Sequence, residues 1–346
     1  MSNFSIYIDH PGYPDHEYLN IPFMVSWKRI NFIFLIGARG IGKTYGTMKE
    51  LILNPDMLML LIRRTAAQIE LINVPQFSPI AKPAKDLGIE WGMKKIAKNY
   101  NAMYLYGDEP RLMAYTAAMS TFSNVRGFDA SDVNFIFYDE FQPEWGDRVI
   151  KDEGKKFLNL YETVNRNREL QGQPPVKALL ASNSNEIRSP ILAEFGITDI
   201  IAKMQDKGQE VYMNTARGIA IVCPMHSPIS DQKSETALYT AVDSEEFKTM
   251  ALENKYIETI NVRSYPLQEL KPITQIGELT VYLHKSRGFV YCSTHASGDC
   301  EKYEMTASGI RIFKDNYYWM LPAYLGGNIT FENVRSRMFF EKIFFN

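Results

Sequence analysis

An α/β domain built on a largely parallel sheet, followed by a smaller α+β domain, is the fold class this sequence predicts, and three observations predict it. Short apolar runs alternate with helical stretches over roughly the first 200 residues. A Gly-rich loop joins the first of these runs to a helix. After about Gly196 the texture changes to hairpin-like pieces and shorter helical patterns.

In chain order, strands are expected at Ile30–Ile36, Met57–Ile62, Val133–Tyr138 and Val176–Ala181. Between the second and third, Asn101–Tyr106 and Arg111–Thr116 flank Gly107-Asp108-Glu109-Pro110, whose turn chemistry predicts an inserted antiparallel hairpin. Helices are expected at Lys43–Leu53 and Glu153–Leu170. Further on come strand-like Glu210–Asn214 and Ile219–Cys223 and helical Ser244–Lys255, then Leu279–His284 and Phe289–Ser293 around the turn Lys285-Ser286-Arg287-Gly288. With no repeat and no Gly/Ser-rich linker to mark it, the boundary is placed at 205, giving domains 1–205 and 206–346.

Composition narrows the class. With 346 residues, 45% apolar and 23% charged, the chain reads as globular protein, and no apolar run approaches the roughly 20 residues of a membrane span. Met1–Asp9 lacks the charged-then-apolar pattern of a secretory signal, so a cytoplasmic protein without membrane contact is expected. Three cysteines, Cys223, Cys292 and Cys300, make no disulfide framework, and Cys292, His295 and Cys300 lack the tight Cys-x-x-Cys pair of a zinc site. A formal net charge of −2 requires that any contact with nucleic acid be local.

Gly37-Ala38-Arg39-Gly40-Ile41-Gly42-Lys43-Thr44 matches G-x-x-x-x-G-K-[ST] in full, between strand and helix. Such a loop wraps a phosphate chain with backbone N–H groups, and the helix behind it adds its positive end. Its ligand is expected to be ATP with Mg²⁺: Lys43 reaches the β- and γ-phosphates and Thr44 ligates the metal. Asn134–Tyr138 is a buried-strand pattern ending in Asp139-Glu140. Asp139 is expected to hold Mg²⁺ and Glu140 to polarise the attacking water, which makes the chain a hydrolase rather than a kinase. Leu179-Leu180-Ala181 ends in Ser182-Asn183, and in nucleotide motors a strand of this kind lies between the loop strand and the acid strand. Asn183 is taken as the γ-phosphate sensor, with Ser182 as the alternative.

On the helix Glu153–Leu170, at ~100° per residue, Phe157, Leu160, Tyr161 and Val164 share one face. Arg168 projects near that face and Arg166 nearly opposite it, beside Lys155, Asn159 and Glu162. An outward arginine on a rigid element can complete a neighbouring subunit's nucleotide site, and it also describes any solvated helix face. Weaker signals are Arg63 and Arg64 after the second strand, which could contact phosphate of nucleotide or DNA, the turn Ser123–Gly127, and Lys94, Lys95 and Lys98 near Tyr100, a basic patch that could touch a DNA backbone.

Assembled, these residues resemble the genome-packaging ATPases of small podophages with terminal-protein-primed replication. The resemblance rests on Asn31-Phe32 through the loop to Tyr45, on Asp139-Glu140-Phe141 and on Val164-Asn165-Arg166-Asn167-Arg168-Glu169, and it covers roughly residues 30–185. A looser similarity surrounds Gly288-Phe289-Val290-Tyr291. It implies a P-loop ATPase domain of the additional-strand, catalytic-glutamate class, then a small domain of degenerate ribonuclease-H-like fold. It also implies a homopentameric ring in the host cytoplasm, docked on the procapsid portal, often through a packaging RNA, and driving double-stranded DNA inward. Lys43, Asp139 and Glu140 match that family's nucleotide-site residues and Arg166 its trans-acting arginine. Asn165 departs from the aromatic residue of the best-known relative, which bears on how the arginine is presented.

Nuclease-bearing large terminases resemble the chain at Arg126-Gly127, but a two-metal nuclease needs clustered acids and the hairpin Leu279–Ser293 has none on either strand. No nuclease activity is expected. The competing readings are a nuclease-active terminase subunit, another DNA translocase, and a nucleotide-switch scaffold that does not hydrolyse ATP; Glu140 argues against the last.

Overall fold

The computed structural model describes residues 5–10, 13–97, 100–124, 130–143, 150–183, 189–224, 235–241, 265–296 and 298–345. The chain divides into two compact units, one of Met1–Glu194 with Ile201–Ile257 and one of Phe195–Ile200 with Glu258–Asn346.

In the first unit the order is β1 (Tyr7–His10), β2 (Tyr13–Leu19), α1 (Ile21–Val25), β3 (Phe32–Ile36), α2 (Lys43–Leu53), β4 (Met59–Arg63), α3 (Ala66–Ile72) and α4 (Ala81–Leu87). There follow β5 (Trp91–Ala97), β6 (Tyr100–Leu105), β7 (Arg111–Ala118), β8 (Phe135–Asp139), α5 (Glu153–Asn165), β9 (Lys177–Ser182), α6 (Pro190–Glu194), α7 (Thr198–Asp206, its first three residues counted with the second unit), β10 (Val211–Asn214) and β11 (Ile219–Val222). Nine strands form one sheet in the order β10-β11-β3-β9-β8-β4-β7-β6-β5. The six from β11 to β7 run parallel, and the antiparallel hairpins sit at the two edges.

The central strands are apolar because both of their faces are covered. Ile33, Leu35, Met59, Leu61, Phe135, Phe137 and Leu179 pack in one buried cluster with Met48 and Leu51 of α2, Ile69 of α3 and Ala84 of α4. On the opposite face α5 buries Phe157, Leu160 and Val164, with the Phe157 ring stacked on Tyr138 at 6.1 Å and Tyr161 against Phe32 at 4.6 Å. β9 lies between β3 and β8, the order expected of a sensor strand, and the inserted hairpin is β6–β7.

Two expectations change. The boundary near 205 does not hold, because β11 pairs in parallel with β3, Ile219 opposite Phe32 and Val222 opposite Leu35, and all four of its residues are buried. Short apolar runs do not show which sheet they join; the open edge of β3 decides it here. The helix expected at Glu153–Leu170 stops at Asn165, where the side chain takes over backbone pairing: Val176 N–H donates to Asn165 Oδ1 at 2.8 Å. Arg166 leaves the helix at φ 44°, ψ −128°. The helix expected at 244–255, Lys98 and residues 125–127 of the weaker turn lie outside the described residues.

In the second unit β12 (Leu270–Ile276), β13 (Leu279–His284), β14 (Val290–Ser293), β15 (Glu301–Tyr303) and β16 (Ile329–Phe331) form a sheet ordered β15-β12-β13-β14-β16. The three middle strands are an antiparallel meander, and β15 and β16 join its edges in parallel. Ile276, Leu279, Val281 and Cys292 pack with Phe313, Met320, Phe340 and Ile343, residues of the helices Ala307–Asn316, Met320–Leu325 and Val334–Phe345. Burial in this apolar core pushes the Cys292 thiol well up.

Candidate functional site

Gly37–Thr44 leaves the end of β3 and enters α2. Gly37 N–H donates to Ser182 O at 3.1 Å, and a Cβ on Gly37 would lie 2.4 Å from Ile41 Cδ1, so a side chain there would force Ile41 to move. Gly42 sits at φ 90° with Tyr18 Cδ1 2.6 Å from where its Cβ would be, and it caps α2 without a side-chain hydrogen bond. The N-terminus of α2 thus receives no side-chain cap from Gly42, and the positive end of a helix is what a phosphate complements.

Lys43 is buried at 8% exposure and turns back onto the loop, its Nζ donating to Gly37 O at 2.8 Å, Ala38 O at 2.7 Å and Asn183 Oδ1 at 3.1 Å. Asn183, just beyond β9, is thereby the sensor candidate in contact with the loop lysine, whereas Ser182 Oγ donates to the Asn183 carbonyl at 2.9 Å. Thr44 Oγ1 donates to the Asp139 carboxylate, 3.1 and 3.0 Å from its two oxygens. Arg39 and Gly40 are exposed at the tip of the loop, while Ala38 and Ile41 are buried at its base.

Asp139 ends β8 with 2% exposure, and Glu140 follows at φ 57°. That left-handed step, unusual for a residue with a side chain, lets consecutive acids that would otherwise point to opposite faces share one partner. Arg63, at the end of β4, donates Nη2 to Asp139 Oδ2 at 2.6 Å and pairs through Nη1 with Glu140. Burial raises the Asp139 carboxyl above its ordinary range and Glu140 adds to that, against the opposing pull of Arg63, Thr44 and Lys43. For Arg63, burial works against the charge, but the two carboxylates outweigh it and hold the guanidinium above its ordinary value. The sequence marks Arg63 only weakly, since a basic residue after an apolar strand looks the same on any solvated end.

Arg64 takes the other direction. It is 1% exposed and donates Nε to Glu153 Oε1 at 3.0 Å and Nη2 to Oε2 at 3.1 Å, while Tyr138 OH donates to the same Oε1 at 2.6 Å. This buried trio ties β4 and β8 to the start of α5 and makes Arg64 a structural residue, not a phosphate ligand. Arg166 is exposed at the far end of α5, its Nε donating to Thr163 O at 3.3 Å. Lys94 and Lys95 are exposed on β5 but are consecutive on a strand, so they point to opposite faces and do not form one basic surface.

The donor chemistry fits Mg²⁺, a hard cation bound by few protein oxygens with water and phosphate supplying the rest: one hydroxyl and one carboxylate converge at the mouth of the loop. A parallel sheet with the Gly-x-x-x-x-Gly-Lys-Thr loop after β3, an acid pair at the end of β8 and Asn183 just beyond the strand between them is the arrangement of the P-loop fold. The chain belongs to the Podovirus DNA encapsidation protein (Gp16) family, which matches residues 15–296. It is 24% identical over 330 residues to the DNA packaging proteins of Bacillus phages PZA and phi29, covering 90% of this chain and 92% of each of those proteins. Among solved structures, the bacteriophage Phi-29 viral genome packaging motor assembly matches at TM-score 0.67 and 21% identity, over 94% of this chain and 99% of that one. A Phi-28 DNA packaging motor matches at TM-score 0.61 and 14% identity, over 95% and 96%.

Proposed function

We propose that this protein is the ATP-driven motor that moves double-stranded viral DNA into a preformed procapsid. The observation that carries the reading is the convergence of Lys43, Asn183, Thr44, Asp139 and Glu140 at one mouth, in a chain of the DNA encapsidation family. The loop N–H groups and Lys43 bind the phosphates of ATP, Thr44 and Asp139 hold Mg²⁺, Asn183 senses the γ-phosphate and Glu140 accepts the proton of the attacking water. Bound Mg²⁺ supplies charge neutralisation on the β- and γ-phosphates. Arg63 bridges the two carboxylates and holds them side by side. β9 between β3 and β8 supports the additional-strand, catalytic-glutamate class.

Arg166, exposed at the end of α5, reaches the nucleotide of an adjacent subunit in a ring, taken as a pentamer seated on the procapsid portal in the host cytoplasm. A packaging RNA between ring and portal belongs to the same reading. The second unit positions DNA and the portal without cutting. Its meander with parallel edge strands supports a degenerate ribonuclease-H-like fold, and β13 and β14 carry no acidic residue that could hold a metal. ATP turnover measured with and without duplex DNA, linear and circular, tests the reading. DNA-stimulated hydrolysis with uncut product is expected; hydrolysis indifferent to DNA would overturn it.

A further inference from the structure

The turn that carries Arg166 is clamped more firmly than an exposed loop requires. Arg166 sits at φ 44°, ψ −128°, a conformation that residues with a side chain rarely adopt and that persists only where the surroundings enforce it. Asn165, 8% exposed, accepts Val176 N–H through Oδ1 at 2.8 Å and donates Nδ2 to Glu169 Oε2 at 3.1 Å. Arg168 donates Nε to Pro174 O at 3.2 Å, closing the turn on itself, and Nη1 to Ser131 O at 2.9 Å and Val133 O at 3.2 Å. Those last two carbonyls belong to the segment entering β8, the strand that ends in Asp139 and Glu140. On the same turn the large apolar side chain of Leu170 is 87% exposed.

From these contacts we infer that Arg168, assisted by Asn165, is a positioning residue that fixes Arg166 for the nucleotide site of a second copy of this chain, with Leu170 as an apolar contact in that interface. The inference rests on Arg166 acting in trans. The two arginines divide the work by geometry. Arg168 spends its planar fork on three main-chain carbonyls of its own subunit, whereas Arg166 is presented outward from the strained position that those bonds hold. A guanidinium that must meet a transferring phosphoryl group gains from such placement, since a displacement of about 1 Å can cost on the order of 10²-fold in rate.

The test uses full-length Lys43→Ala, Arg166→Ala, Arg168→Ala and Arg168→Lys, alone and in pairwise mixtures shown to form mixed rings. DNA-stimulated kcat and KM, affinity for a non-hydrolysable ATP analogue and melting temperature are measured. Arg168→Ala is expected to lose kcat by roughly 10²-fold while its own loop binds the analogue as the parent does. Mixing it with Lys43→Ala, which donates an intact Arg166, should restore part of the turnover; mixing it with Arg166→Ala should restore none. Arg168→Lys, whose ammonium cannot reproduce a planar fork, should show a smaller loss with the same mixing pattern, and it serves if the alanine variant does not fold. Unchanged kcat in Arg168→Ala, or lost analogue affinity without recovery beside Lys43→Ala, overturns the positioning role. If Lys43→Ala with Arg166→Ala also fails to recover, the trans reading itself fails; recovery there alone leaves that reading standing.

Discussion

At Lys43 one ammonium braces two loop carbonyls and Asn183, so its removal takes away the proposed phosphate ligand and loosens the loop together. Lys43→Ala should therefore abolish ATP binding, read by titration calorimetry. Glu140→Gln keeps the size of the side chain and removes its basicity; ATP affinity should persist and turnover should fall by about 10²–10⁴-fold, the usual contribution of a positioned general base. Unchanged turnover in Glu140→Gln would remove Glu140 from the mechanism. Arg63→Ala leaves a buried and a half-exposed carboxylate side by side with no cation between them. Its melting temperature should drop in metal-free buffer and recover when Mg²⁺ and ATP analogue supply charge there, a recovery the parent protein should not need.

Among the elements, α5 shows best how the fold connects distant parts of the site. Its first residue, Glu153, is fully buried against Arg64 and Tyr138, and its last turn leads to Arg166. Burial, reinforced by Glu153, pushes the Tyr138 phenol well above its ordinary value, which keeps it a hydrogen-bond donor. Breaking such a pair strands a charge in the interior and costs about 3–5 kcal/mol, whereas replacing all its members with apolar groups of similar volume is often neutral. Chemical denaturation should accordingly find Glu153→Leu alone far less stable than the combination Arg64→Met, Glu153→Leu and Tyr138→Phe. Equal losses would show that the trio is not coupled. The sequence makes α5 too long because Asn165–Leu170 holds no glycine or proline to end a helix, while the contacts that stop it, from Asn165 to Val176 and from Arg168 to Ser131, span turns whose closure the sequence does not show.

On the scale of the whole molecule, the two units make separable predictions. A fragment ending at 205 loses β10 and β11 and leaves the hydrogen-bonding edge of β3, beside the phosphate loop, uncovered. It should be insoluble or molten, whereas a fragment ending at 257 keeps the nine-stranded sheet and should melt cooperatively; a stably folded 1–205 fragment would contradict the pairing seen here. The full chain incubated with plasmid and Mg²⁺ or Mn²⁺ should leave the DNA circular, and protein-dependent linearisation would move the chain into the nuclease-bearing terminases.

The amino-acid sequence by itself determined the phosphate loop, the acid pair and the strands that carry them, because each is written in consecutive residues: glycines where the backbone must approach a ligand, a lysine and a hydroxyl at fixed spacing, a carboxylate pair after a fully buried strand. Only the tertiary structure decided what depends on residues far apart in the chain. It placed Arg63 across Asp139 and Glu140, chose Asn183 over Ser182 as the contact of Lys43, moved Ile219–Val222 into the first sheet and ended α5 at Asn165. Side-chain charge and backbone edges carry no address. Which partner satisfies them is settled when burial makes every unpaired polar group costly.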